Sequence, residues 1–216
     1  FTKDQMHQVE LLLRDWTARY PHACVVGHRD ATDTDKTCPN FDVVAWRQIR
    51  NSTRVTPVTG SAAMLAQPDD KSDLETEILF GEALEVLDRH NGYLKVRLAT
   101  DSYEGWVRAT AVTSVASSKV KDHCLIAAPS VVVSAAPDVK SQCLIKLSLG
   151  AQIDIEDQLS EWVTIALPNG GTGHLPANAR AKALPTDDFV SVAEKLVGCA
   201  YLFGGRTHEG LDCSAL

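Results

Sequence analysis

Cys213 stands between Asp212 and Ser214 and follows two glycine-rich stretches, Ala200-Tyr201-Leu202-Phe203-Gly204-Gly205 and Gly210-Leu211. A cysteine in that setting is a candidate nucleophile. A thiolate forms readily where the N–H groups of a helix N-terminus point at the sulfur and lower its pKa. The same N–H groups can hold the oxyanion of an acyl transfer. Small residues at the turn let a substrate backbone come close. The competing reading is a buried structural cysteine at the start of a helix. Asp212 and Ser214 could equally be helix caps, and Tyr201 a core aromatic.

The elements that must position this stretch read as follows. Residues 2–20 form an amphipathic helix: Thr2 and Gln5 make a capping-box signal, and Met6, Val9, Leu12, Leu13, Trp16 and Tyr20 recur at helical spacing until Pro21. Ala23 to His28 is expected as a short buried strand, and Val43 to Trp46 as a short helix. Residues 47–57 are polar and linker-like. From Val58 the chain turns into short, evenly spaced strand runs with turns between them. Asn91-Gly92 is a strong hairpin pair, followed by the alternating strand Tyr93 to Leu98.

The pattern then repeats about seventy residues on. Pro137-Asp138 answers Pro68-Asp69, Leu149-Gly150 answers Phe80-Gly81, Trp162 to Ile165 answers Tyr93 to Val96, and Gly173-His174-Leu175 answers Gly105-Trp106-Val107. Two small barrels of five to seven strands are therefore expected, with Trp106 and Trp162 in their cores. A helix over Asp187 to Val197 follows, with its acidic pair at the positive end and Phe189, Val192, Ala193, Leu196 and Val197 as its buried stripe. Gly198 stops it.

The chain has 216 residues, 44% of them hydrophobic and 23% charged, which suits one to three small domains. A net charge of −7 gives no basic footprint for nucleic acid. No apolar run is long enough for a membrane span. The six cysteines contain no CxxC pair, which argues against a zinc ribbon or a disulfide scaffold. Cys124 and Cys143 could pair in an oxidising compartment or serve as two small buried hydrophobes.

Tyr201-Leu202-Phe203-Gly204-Gly205-Arg206-Thr207 with Gly210-Leu211-Asp212-Cys213-Ser214 resembles the active-site start of NlpC/P60 cysteine peptidases that carry bacterial SH3 (SH3b) domains. The resemblance implies a papain-like α+β domain starting at 187–216, with Cys213 as nucleophile. It places the catalytic His downstream of Leu216, so the 216 residues alone are expected to be inactive. It implies that Asp212, Ser214 and Tyr201 hold the free amino end of the substrate, and that the first barrel adds a carboxylate, for which Glu104 is the candidate. The repeats, at 58–116 and 122–184, resemble SH3b barrels, with His174 in the second where Trp is usual.

A third resemblance covers 1–50. Val25 to Asp30 and Lys36 to Asp42 are similar to the C-terminal part of phage-lysozyme-type zinc N-acetylmuramoyl-L-alanine amidases. It implies His28 and Cys38 as zinc ligands and Lys36 as the catalytic cation, with a third ligand missing. The fold class expected is thus α+β, mainly β: two SH3-like barrels between an incomplete α/β amidase segment and a peptidase start.

The function implied is a cell-wall hydrolase, a cysteine endopeptidase cutting peptidoglycan stem peptides at γ-D-glutamyl–diamino acid bonds. It needs no cofactor for the peptidase, and zinc only for an intact amidase. The alternatives are a zinc amidase with wall-binding SH3b repeats, and a non-catalytic wall-binding or phage-like tail component.

Overall fold

The structure is a computed structural model that describes residues 3–20, 23–31, 35–39, 43, 54–115, 122–168, 170–181 and 188–215. Helix α1 spans Lys3–Arg19. After it come seven strands: β1 Arg54–Pro57, β2 Ser61–Leu65, β3 Leu74–Leu79, β4 Leu84–His90, β5 Tyr93–Leu98, β6 Glu104–Arg108 and β7 Val112–Ser114. They form one curled antiparallel sheet in the order β3-β2-β6-β5-β4-β1-β7.

Seven more strands follow: β8 Asp122–Ile126, β9 Ser130–Ser134, β10 Cys143–Ser148, β11 Gln152–Leu159, β12 Trp162–Ala166, β13 Thr172–Pro176 and β14 Arg180–Ala181. Their order is β10-β9-β13-β12-β11-β8-β14, so every strand has a counterpart seven places earlier. Even the irregularities repeat. The register slips between Val86 and Asp88 where β4 meets β5, and between Ile155 and Asp157 where β11 meets β12.

The local chemistry explains these elements. In β5, Leu94, Val96 and Leu98 point inward while Lys95 and Arg97 face out, the period-two alternation of a half-buried strand. Asn91 and Gly92 both have positive φ (49° and 82°), as a two-residue primed turn requires. The first core holds Met64, Ile78, Leu84, Val96 and Leu98, and the second Ile126, Leu147, Ile153, Ile165 and Leu175.

The two cores are not independent. Leu79 and Phe80, at the end of β3, are buried in the second cluster. The Phe80 carbonyl accepts a hydrogen bond from Gln152 N at 2.8 Å. Gly81 has φ 81°, and a Cβ there would lie 2.1 Å from the Gln152 carbonyl oxygen. The first barrel thus inserts its 79–81 turn into the side of the second.

Several expectations change. Ala23 to Gly27 forms no strand: among the described residues it has no partner strand to complete a ladder, and Ala23, Cys24 and Val26 are exposed. Arg54–Pro57 belongs to the first sheet rather than to a linker, because Val55, fully buried, pairs with both β4 and β7. Trp106 and Trp162 are half-buried and belong to neither core cluster. All six cysteines are free, with Cys124 buried and Cys143 exposed. The helix expected at Val43 to Trp46 lies, apart from Val43, outside the described residues. Among the described residues no helix is long and apolar enough to cross a membrane.

Gly81→Ala adds both a left-handed backbone penalty and a clash with backbone that cannot move aside. It should cost about 2 kcal/mol or more by denaturant unfolding. Gly92→Ala, with nothing within 4 Å of the added Cβ, should cost only about 1–2 kcal/mol.

Candidate active site

The C-terminal segment contributes helix α2, Phe189–Glu194, and a small hairpin of β15 Arg206–Thr207 and β16 Gly210–Leu211. Asp188 caps α2, its carboxylate accepting from Ser191 N at 3.2 Å. Of the expected buried stripe only Leu196 is buried. Phe189 and Val197 are 72% and 83% exposed, because the short helix presents only part of its surface to the described fold.

The hairpin docks on both barrels. Gly204 lies so close to β3 that a Cβ would come 2.9 Å from the Glu75 carbonyl oxygen, and its own carbonyl accepts Glu77 N at 2.8 Å. Arg206 N donates to the Glu77 carboxylate at 2.8 Å. The Arg206 guanidinium forks onto Glu82, both contacts at 2.9 Å, and also reaches the Glu77 carbonyl at 2.9 Å. Glu82 is only 3% exposed and accepts Leu79 N at 2.7 Å as well. At the hairpin tip, His208 Nδ1 lies 3.0 Å from Ser148 Oγ of the second barrel.

This docking places the candidate nucleophile. Arg206 pairs with Leu211 across the hairpin, and Tyr201 bridges to Leu211 from the other side. Asp212, Cys213 and Ser214 follow directly. Cys213 and Ser214 are exposed and form a turn. Tyr201 is 72% exposed, so it is not a core aromatic.

The Asp212 carboxylate is heavily engaged. One oxygen accepts the Ser214 hydroxyl (2.7 Å) and the amides of Ser214 (2.8 Å) and Ala215 (3.0 Å), and the other accepts Gly204 N at 2.9 Å. Accepting from the second and third following amides is N-cap geometry. Four donors favour the charged form. The Ser214 hydroxyl foremost, then the three amides, hold this carboxyl below the ordinary aspartate range against partial desolvation. Asp212 therefore links Gly204, on the barrel side, to the turn that carries Cys213.

Glu104 is already neutralised. Arg97 donates to it at 2.7 and 3.0 Å, and Lys95 lies 3.4 Å away. The Arg97 hydrogen bond lowers the Glu104 pKa. Its neighbour Tyr103 makes a different contact, donating its hydroxyl to Glu75 at 2.6 Å. That bond raises the Tyr103 pKa and keeps the phenol a donor. Glu75 stands on β3 beside Gly204 and, among the described residues, forms no ion pair. Sequence reasoning missed Glu75, Glu82 and Arg206. Glu82 did leave one signal, a carboxylate inside the apolar run from Ile78 to Leu84.

In the N-terminal segment, His28 Nδ1 and Cys38 Sγ meet at 3.5 Å, and Lys36 is exposed two residues before Cys38. Catalytic zinc uses three protein ligands and an open position. No group of three His, Cys, Asp or Glu side chains suited to a metal occurs among the described residues. As described, the pair does not fit a catalytic zinc.

Residues 64–112, which hold β3 to β6 of the first barrel, match the family model described as "Bacterial dipeptidyl-peptidase Sh3 domain". The chain is homologous to a gamma-D-glutamyl-L-lysine dipeptidyl-peptidase of Bacillus cereus (strain ATCC 10987 / NRS 248): 25% identity over 161 residues, covering 65% of this chain and 47% of that protein. The chain thus spans about half the length of the curated relative it matches. In three dimensions it is similar to the crystal structure of an NlpC/P60 family protein from Bacillus cereus ATCC 10987, with a TM-score of 0.65 and 18% identity, over 75% of this chain and 69% of that one. Over three quarters of its length the chain therefore shares its fold with an NlpC/P60 family protein.

Asp212→Ala should weaken the loop by about 1 kcal/mol, read as faster amide exchange at Gly204, Ser214 and Ala215. The sign of the pH dependence follows from the lowered pKa. The stabilisation by Asp212 is complete above its unfolded value and is lost as pH falls through the depressed folded value. A carboxyl-carbon titration by NMR should place the Asp212 midpoint below that of an ordinary aspartate.

Proposed function

We propose that this protein is a cysteine peptidase of the bacterial cell wall, cutting peptidoglycan stem peptides after γ-D-glutamate with Cys213 as nucleophile. The observation that carries this reading is the exposed Cys213 next to an N-cap-like Asp212, on a loop clamped against an SH3-type barrel. The homology to a dipeptidyl-peptidase and the shared NlpC/P60 fold support the same chemistry.

In this reading the Cys213 sulfur attacks the γ-carbonyl carbon of the glutamyl residue. The resulting oxyanion collapses, the C–N bond breaks and the diamino acid's amine leaves with a proton. Water then attacks the thioester, releasing the peptide acid and restoring the thiol. The proton-transfer base is a group other than His208, whose ring is turned onto Ser148. Amides at the Cys213 turn are suited to hold the oxyanion.

The first barrel forms the wall that receives the substrate's free α-amine. Of its two candidate carboxylates, Glu104 already serves Arg97 and Lys95. Among the described residues the Glu75 carboxylate is held only by the Tyr103 hydroxyl, and its backbone carbonyl lies beside Gly204, so the carboxylate is open to an ammonium. Glu75, with Asp212 and Tyr201, makes a free amino terminus a requirement rather than an option. Glu104 then acts one step back, fixing the start of β6 next to Tyr103. The second barrel is an SH3b copy whose role is to brace the first.

A zinc amidase is the second reading, favoured by the His28–Cys38 contact. Because the described residues do not complete a metal site, no catalytic step is assigned to it.

In the full-length protein, Cys213→Ala or alkylation of Cys213 should abolish cleavage of a synthetic L-Ala-γ-D-Glu-L-Lys peptide. Undiminished cleavage would refute the assignment. Glu75→Gln should raise KM for that peptide about tenfold with little change in kcat, since the interaction lost is made in ground and transition states alike. An N-acetylated peptide, cleaved slowly by the parent, should show no such change.

A further inference from the structure

The joint between hairpin and barrel contains a feature that stability alone does not call for. Glu82 has a side chain only 4% exposed, and the Arg206 side chain facing it is 26% exposed. A buried ion pair is a poor way to hold two surfaces together. Apolar side chains of similar volume often do as well or better, because both charges must leave water. What the pair supplies is direction. A planar guanidinium on a carboxylate, with two parallel contacts of 2.9 Å, accepts one orientation and one register.

That register has two ends. On the barrel side, Glu82 is fixed by Leu79 N, and Arg206 also grips both the carbonyl and the carboxylate of Glu77. Glu77 is two residues from Glu75 on the same strand, so the two side chains share a face of β3. On the hairpin side, Arg206 pairs with Leu211, whose next neighbours are Asp212 and Cys213. The joint therefore sets how far Cys213 stands from Glu75.

We propose that Arg206 and Glu82 are a positioning pair that fixes the separation between the nucleophile and the carboxylate receiving the substrate's amine, and so determine specificity. The joint acts as a ruler: it admits peptides whose free α-amine lies at one distance from the scissile carbonyl. The inference rests on the reading of Cys213 as nucleophile and Glu75 as amine receptor. Arg206 and Glu82 are engaged with each other and with the first barrel, so their part is to position rather than to react. Loosening the joint should leave the thiol chemistry in place while blurring the length and amine requirement.

The test uses the full-length protein with three synthetic peptides: L-Ala-γ-D-Glu-L-Lys, its N-acetyl form, and a form extended by one alanine at the amino end. The variants are Glu82→Leu with Arg206→Met, which removes both charges together, and Arg206→Lys, which keeps the charge but loses the fork. Melting temperature and the alkylation rate of Cys213 are recorded for each. The expected result is a fall of at least about tenfold in the preference for the free tripeptide over both other peptides, in kcat/KM. A smaller fall is expected for Arg206→Lys. Melting temperature should stay within about 5 °C of the parent, and the alkylation rate should be unchanged.

If the double variant does not fold, Arg206→Lys decides by the same ratio. Preference unchanged in the folded variants, with Cys213 still required, overturns this inference and leaves the proposed function intact. Cleavage that persists after Cys213→Ala removes the proposed function, and this inference with it.

Discussion

Glu82 lies almost without contact with water at the turn after β3, and an isolated carboxylate there would cost several kcal/mol, to an order of magnitude. It is tolerable only because Arg206, 124 residues later, brings a guanidinium to it and because Leu79 N occupies one of its oxygens. That single compensation ties the end of the chain to the first barrel. Gly204, Glu77 and Arg206 then follow as a connected set of contacts on one strand. The turn bearing Cys213 inherits its place from them through Asp212, whose carboxylate reaches Gly204 on one side and the amides of Ser214 and Ala215 on the other.

The same region shows why two barrels are present. A domain of about sixty residues buries only about 60% of the surface its unfolded chain exposes, less than a larger domain does, and is marginal alone. Here the first unit lends Leu79 and Phe80 to the core of the second, and the second returns the Gln152 amide to the Phe80 carbonyl. The turn that carries Glu82 is thus anchored at its start by the second barrel. His208 meets Ser148 at the opposite end of the hairpin. The second barrel therefore supports the active-site loop at two points, although none of its residues is assigned to chemistry.

Much of this was legible in order along the chain. The seventy-residue offset gave the duplicated sheet because each strand run needs its turn, and turns leave Pro-Asp, Asn-Gly and Gly signatures. The alternation in Tyr93 to Leu98 reproduced the strand to the residue. The Asp-Cys-Ser cluster after a glycine-rich run pointed to a cysteine heading a helix; the fold presents Cys213 exposed on a turn, with Asp212 in N-cap geometry before it. The errors had a common origin. Ala23 to His28 is apolar enough for a strand but has no described neighbour to pair with, and Phe189 to Val197 has helical spacing but no described layer to cover all of its stripe. Periodicity reports what a segment could bury, not what arrives to bury it.

The sequence by itself determined the elements, the duplication and the identity of the candidate nucleophile, because these depend on residue types at short spacing. Which carboxylates surround that nucleophile was decided only by tertiary structure. Glu104 and Glu75 are indistinguishable as letters. Their difference is that Arg97 and Lys95 reach one and a phenol reaches the other. Glu82 and Arg206 are farther apart in the chain than either is from most of its neighbours in space. No local pattern encodes their meeting, since the attraction between the two charges becomes strong enough to offset their desolvation only once the barrels and the hairpin have closed around them.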